Sequence, residues 1–281
     1  MHRPKIVHPG PKHAARRVAV PCHAQRVTIT LREGQSFGVA VAQGFAELGA
    51  TAGYLRLRNI PMERVCFVRP APAPGDGHVA WYSVTHENPG AATIVDGGTH
   101  LGWRDGVPFT HTHGIWQGSD GVGQVGHLLP ETSIIARDTL VDGWALTGAH
   151  LVARPDPETQ FTLFAPEPTK TAPTVPNAVL CILRPHEDIT GALQTLADTN
   201  FVGPVQIEGI GSLIGTHFED TTIQSYATEI LLTDGQTGGR RPSLQALSVG
   251  FDGGYAQGVL RAGENPVLVT AEILLIARTT G

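Results

Sequence analysis

Cysteine is scarce in this chain, and so is charge. Cys22, Cys66 and Cys181 are the only cysteines among 281 residues. An odd number at wide spacing speaks against a disulfide framework and predicts reduced thiols. No pair of them has zinc-ribbon spacing. Charged residues make up 16% of the chain, and the formal net charge is −5. Without an overall basic footprint, a nucleic-acid partner is not expected. No apolar run reaches the roughly 20 residues of a membrane-spanning helix. The N-terminus has no apolar core of a secretory leader. Together these absences predict a soluble, cytoplasmic protein with no membrane partner. A Walker-type phosphate loop, a G-x-S-x-G elbow and a dinucleotide fingerprint are missing as well.

Glycine and proline are plentiful, at 34 and 21 residues, and predict many turns. The length suits two ordinary domains. Residues 1–25 form an N-terminal segment that is locally basic: Arg3, Lys5, Lys12, Arg16 and Arg17 stand among His2, His8 and His13. They are expected to be a mobile basic arm.

The rest reads as two copies of one pattern, residues 26–165 and 177–281, joined by a proline-rich linker over 166–176. Copy one opens with the strand-like Val27–Leu31. Ser36 then caps a helix whose apolar face is Phe37, Val41, Phe45 and Leu48. Copy two opens with Ala178–Leu183, and Asp188 caps a helix with Ile189, Leu193 and Ala197 on one face. Further on, Pro108–His113 matches Pro242–Leu247, Asp120-Gly121 matches Asp252-Gly253, and Gly126–Leu128 matches Gly258–Leu260.

The stretch richest in chemistry lies in copy one. His111 and His113 are two apart, so in a strand they face the same side. Asp120-Gly121 reads as a hairpin turn, and the returning strand brings back His127. Three neutral imidazoles on one metal ion leave a coordination position open, as catalytic zinc sites do. Ni²⁺, Co²⁺ or Fe²⁺ would also accept them. In the matching register, copy two has Gln245, Leu247 and Val259 at these positions. A scaffold that persists without the histidines suggests that they serve chemistry in copy one.

Other residues are candidates around that site. Glu131, four residues after His127, is a general base, a fourth ligand or an exposed loop residue. Arg56 and Arg58 stand where copy two has Gly209-Ile210. They hold a carboxylate in a pocket or form surface salt bridges. Trp116 walls a planar substrate or belongs to the core. His100 is an acid–base group or a surface histidine.

These motifs resemble the plant- and prokaryote-conserved (PPC, or DUF296) domain. The resemblance rests on L-x-x-G-x-S/D before a helix, Gly209–Leu213, the H-x-H strand, the D-G turn, the G-H-L strand and Gly263–Glu272. It covers nearly all of 26–165 and 177–278. It implies tandem α+β domains, each a mostly antiparallel sheet packed with helices, and an assembly into trimers. It also implies a zinc site at His111, His113 and His127. Copy one departs from the family at Arg56–Ile60, and no R-G-R core of a DNA-binding AT-hook is present. The expected function is a zinc-dependent hydrolase or lyase acting on a small, carboxylated metabolite. The alternative is a non-catalytic, metal-stabilised oligomeric or DNA-associated PPC protein.

Overall fold

The computed structural model describes residues 5–88, 90–171, 175–237 and 242–278. Copy one begins on β1 (Arg17–Leu31), α1 (Phe37–Glu47) and β2 (Gly53–Arg64). Four short strands follow: β3 (Cys66–Val68), β4 (Pro70–Pro72), β5 (Ala80–Tyr82) and β6 (His86–Glu87). Then come β7 (Ala92–Arg104), β8 (Val107–Gly118), β9 (Gly123–Leu128), β10 (Ile134–Ile135) and β11 (Thr139–Thr147). A hairpin of β12 (Ala149–Pro155) and β13 (Thr162–Pro168) leads onward. Copy two runs β14 (Ala178–Leu183), α2 (Ile189–Asn200), β15 (Val205–Leu213), β16 (Thr216–His217), β17 (Thr222–Ile223), β18 (Thr228–Thr237), β19 (Ser243–Val249), β20 (Tyr255–Val259) and β21 (Val267–Ala277).

The two copies repeat one antiparallel ladder. In copy one β11 pairs with β1 and β2, β2 with β7, β7 with β8, and β8 with β9. In copy two β21 pairs with β14 and β15, β15 with β18, β18 with β19, and β19 with β20. The protein is therefore mostly antiparallel sheet, with α1 and α2 as the helices among the described residues. The helical share is smaller than an α+β reading suggests. Neither helix is long and apolar enough to cross a membrane.

Alternation along the strands explains the layers. Val179, Cys181 and Leu183 point to α2 and pack with Ile189, Leu193 and Ala197. Their neighbours Ala178 and Leu180 face the other way, against Tyr54 and Trp144 of copy one. Ile29, Leu31, Leu55 and Leu57 likewise meet Phe37, Val41 and Phe45 of α1. Each sheet thus carries its helix outside and meets the other sheet inside. A side chain at Gly44 of α1 would put its Cβ 2.7 Å from Ile29 Cδ1, so glycine there lets the helix lie on its sheet without displacing the Ile29 side chain. Leu48 does not join the α1 face; it is the C-cap residue and is exposed. Cys22, Cys66 and Cys181 are free thiols, all buried.

Three expectations need correction. The N-terminal arm is docked over its described part. Residues 17–22 pair with β14 and residues 23–31 with β11, so β1 belongs to both copies. Upstream, His8 Nε2 bonds the Leu268 carbonyl at 2.8 Å, and Arg16 bonds Glu158 at 2.6 Å. Its Arg3 and His2 lie outside the described residues. The linker starts later than expected, because Pro166–Pro168 pair with β12; of its remainder, residues 172–174 lie outside the described residues.

The register between copies also shifts. His113 opposes His127 as Gln245 opposes Val259. The counterparts of His111, His113 and His127 are then Ser243, Gln245 and Val259. A slip of two residues keeps the face, so copy two lacks the imidazoles in either register. Leu55 and Val27 both oppose Gly143, as Ile207 and Val179 both oppose Leu275. Arg56 therefore corresponds to Glu208, and Arg58 to Ile210. For Arg56 this is a slip of one residue, which exchanges the two faces of the strand and puts Arg56 on the inner one, beside Glu208.

Candidate metal centre

The inner face of copy one presents the three histidines together. Strand alternation puts His111 and His113 on that face, and the β8–β9 register sets His127 directly beside His113. Their ring centroids lie 4.7 to 5.4 Å apart. One ring nitrogen from each falls within 4.8 Å of the others.

Copy two orients two of the rings. His113 Nδ1 lies 2.9 Å from the carbonyl of Ile230. A carbonyl only accepts, so Nδ1 carries the proton and Nε2 keeps its lone pair. His111 Nδ1 lies 2.5 Å from Glu272 Oε2. With that nitrogen committed to the carboxylate, Nε2 of His111 is the one left for a ligand. Metal-bound histidines characteristically donate their second nitrogen to a carboxylate or carbonyl in this way. His113 Nε2 and His127 Nδ1 are buried without a hydrogen-bond partner. Buried polar atoms are ordinarily paired, so an orphaned lone pair in a histidine cluster fits a metal ion.

Electrostatics favour two of the three rings as donors. Burial, with the positive charge of His111 adding to it, lowers the His113 pKa to about 3. Burial and the same neighbours push His127 well below its ordinary value. Both rings are neutral at pH 7, as ligands must be. His111 behaves differently. Burial pulls its pKa down, but the Glu272 carboxylate outweighs that and raises it. Glu229, also from copy two, is pushed up to about 8 by burial, against the pull of His111.

A cavity adjoins the cluster. His111, His113 and His127 share its lining with Trp81, Tyr82 and Phe161 of copy one and with Glu229, Thr228 and Thr270 of copy two. A second, wider recess reaches His111 and His127 from the other side, past Arg104, Glu131 and Glu272.

The other expected residues are dispersed. Glu131 is exposed and lines the wider recess rather than the cavity over the cluster. His100 is fully buried one strand behind His111, with Nε2 3.1 Å from the Glu272 carbonyl and its ring edge against Tyr54. Burial lowers its pKa to about 4. It is a packed core histidine, separated from the cavity. Trp116 points to the α1 side, fully buried against Phe67 at 4.7 Å. It follows Ile115 and lies one residue out of phase with the histidines, so it cannot wall their pocket.

Arg56 is held by Asp96 at 2.8 Å and by the Leu232 carbonyl at 2.6 Å, with Glu208 at 3.6 Å. It joins the two copies away from the histidines, and with exposed Arg58 it lines a separate recess beside Arg26, Trp144 and Glu208. Neither arginine is placed to hold a carboxylate at the metal centre.

Sequence reasoning missed Glu229, Ile230 and Glu272 because they come from the other copy. A signal for two of them was present. Glu272 is the lone acid in the apolar run Val267–Ala277, and Glu229 stands before Ile230-Leu231-Leu232. A charge inside an otherwise apolar strand marks a buried partner. Trp81 and Tyr82 lie on β5, a short strand with no periodicity to reveal it.

No family model matches the chain, and neither does any curated protein. Solved structures do. A metal-containing protein from Archaeoglobus fulgidus is 20% identical, with a TM-score of 0.40, over 52% of this chain and 97% of its own. A plant- and prokaryote-conserved (PPC) protein from Pyrococcus horikoshii is 13% identical, TM-score 0.39, over 51% of this chain and 94% of its own. A candidate DNA-binding protein from Ralstonia eutropha JMP134 is 16% identical, TM-score 0.39, over 50% and 94%. The neighbours of this chain include a PPC protein. Each covers about half of this chain. One expectation is overturned here. The sequence reading set nucleic acid aside on net charge, whereas neighbours of this chain carry a DNA-binding description. A mean charge over the whole chain does not decide that question.

Proposed function

We propose that this protein is a metal-stabilised, PPC-like tandem protein. In this reading His111, His113 and His127 bind one divalent transition metal at the seam between the copies. Zinc is the ion that three imidazoles suit first. One observation carries the reading: copy two fixes the Nδ1 atoms of His111 and His113, and leaves His113 Nε2 buried without a partner. Elemental analysis of untagged protein tests it. About one metal per chain is expected, and chelation should lower the melting temperature, because an ion bound only by the folded state stabilises it. Association with DNA, as described for some structural neighbours, belongs to the same non-catalytic reading. Retardation of a duplex at physiological salt tests that part.

A zinc-dependent hydrolase or lyase is the second reading. It is favoured by the cavity beside the three histidines, which leaves room on one side of the ion and is lined by Glu229. Zinc would there polarise a bound oxygen or lower the pKa of water. The acid–base role first given to Glu131 would pass to Glu229. Glu229→Gln that keeps its metal yet loses turnover would favour this reading over the first.

A further inference from the structure

A cavity open on one side lies over the histidines. Its two walls differ in kind. On one side Trp81, Tyr82 and Phe161 form an aromatic corner, with centroids 5.5 to 6.3 Å apart. Trp81 and Tyr82 are 40% and 42% exposed, so their rings are open to a ligand and not consumed by the core. On the other side copy two supplies Glu229 and Thr270, only 8% and 6% exposed. Glu229 Oε2 and Thr270 Oγ1 are both buried without a hydrogen-bond partner. No lysine or arginine lines this cavity.

We infer that this cavity seats a small, flat, uncharged aromatic molecule that carries a hydrogen-bond donor, such as an aryl amide. Its ring stacks on the aromatic corner, where offset and edge-on contacts are favourable. Its amide, donor and acceptor together, pairs with Glu229 and Thr270, two polar groups that the fold leaves without partners. An anionic ligand finds no lysine or arginine in this cavity to hold it. This replaces the carboxylated metabolite expected from the sequence, because the arginines that would have held its anion lie elsewhere. The inference deepens the proposed metal site, on which it rests for the floor of the cavity.

Benzamide and benzoate, of similar shape but one neutral and one anionic, test it. Each is titrated against the full-length protein by ligand-observed NMR, as purified and again after chelation, with metal content measured on the same samples. Benzamide should bind saturably in both states. After chelation, with no ion to attract a carboxylate, it should bind about tenfold more tightly than benzoate. Trp81→Ala should weaken benzamide about fivefold, the size of a lost aromatic contact. Glu229→Leu should weaken it at least as much. Trp81 is half exposed, so its variant keeps the test decisive if Glu229→Leu fails to fold. Arg32→Ala, on an exposed surface remote from the cavity, should change nothing. Benzoate binding as tightly as benzamide after chelation overturns the inference, as does no benzamide binding in either state. If benzamide fails while metal is retained, only this inference falls. If benzamide binds while no metal is found, the metal reading falls instead.

Discussion

Glu272 holds His111 from across the seam, carboxylate to Nδ1 at 2.5 Å. The two residues stand 161 positions apart and belong to different copies. Glu272 is 1% exposed, so its side chain meets His111 rather than water. In the metal-bound state the same contact would keep His111 turned with Nε2 toward the ion. The backbone of Glu272 meanwhile receives His100, so one residue of copy two fixes two histidines of copy one.

Metal content is the first prediction. His113→Ala should abolish binding, because it removes the ligand with the most firmly set tautomer. Gln245→Ala, at the matching position of copy two, should leave the metal in place. Inductively coupled plasma measurements on purified variants check both. Full occupancy in His113→Ala would remove the site.

Glu272→Gln is the second. The amide keeps the shape and still accepts a hydrogen bond from His111, yet it loses the charge. Outer-shell substitutions of this kind typically weaken a metal by about 10- to 100-fold. Competition with a chromogenic chelator should show that loss without loss of the fold.

The third concerns pH. Burial raises the Glu229 carboxyl from 4.5 to about 8. In the unfolded chain it ionises near its ordinary value. Its contribution to stability is therefore complete below about pH 4.5 and is lost as pH rises through about 8. Urea denaturation of metal-free protein should show stability falling over that window. Glu229→Gln, which cannot ionise, should flatten the fall. A steeper slope in the variant would contradict the assignment.

Arg56→Ala is the fourth. The side chain is 9% exposed and bridges Asp96 and Glu208 across the copies. Removing one member of a buried ion pair leaves an uncompensated charge and costs about 3–5 kcal/mol. Thermal or urea unfolding should show a loss of that order, with metal content unchanged. Loss of metal without loss of stability would restore Arg56 to the site.

Local physics made part of this legible in advance. Phe37, Val41 and Phe45 announce α1 through helical spacing, and Asp188 announces α2, whose Gly191 N–H it accepts at 2.9 Å. The histidines were legible because period-two alternation and one Asp-Gly turn determine which side chains meet. What failed was everything set by register between copies. Short motifs slide against each other by one or two residues at little cost in similarity, and alternation alone could not show that Arg56, on the same inner face as His113 but two strands over, is taken up by Asp96 and by copy two. The acidic wall was out of reach for a related reason: Glu229 and Glu272 meet the histidines only after two sheets have packed face to face.

The continuous run of β1 has a practical corollary. Its first six residues, Arg17–Cys22, complete the copy-two sheet, and the next nine complete that of copy one. Cutting the gene between the halves would strip β14 of its neighbour and leave 17–22 dangling from the other piece. Each fragment would then display a bare row of amides and carbonyls, the template on which strands of separate molecules add to one another. Half-length products should accordingly precipitate or dimerise through that seam, and mixing the two should restore solubility. The duplication has thus been sewn shut: neither half is free to be traded or inherited as an independent module.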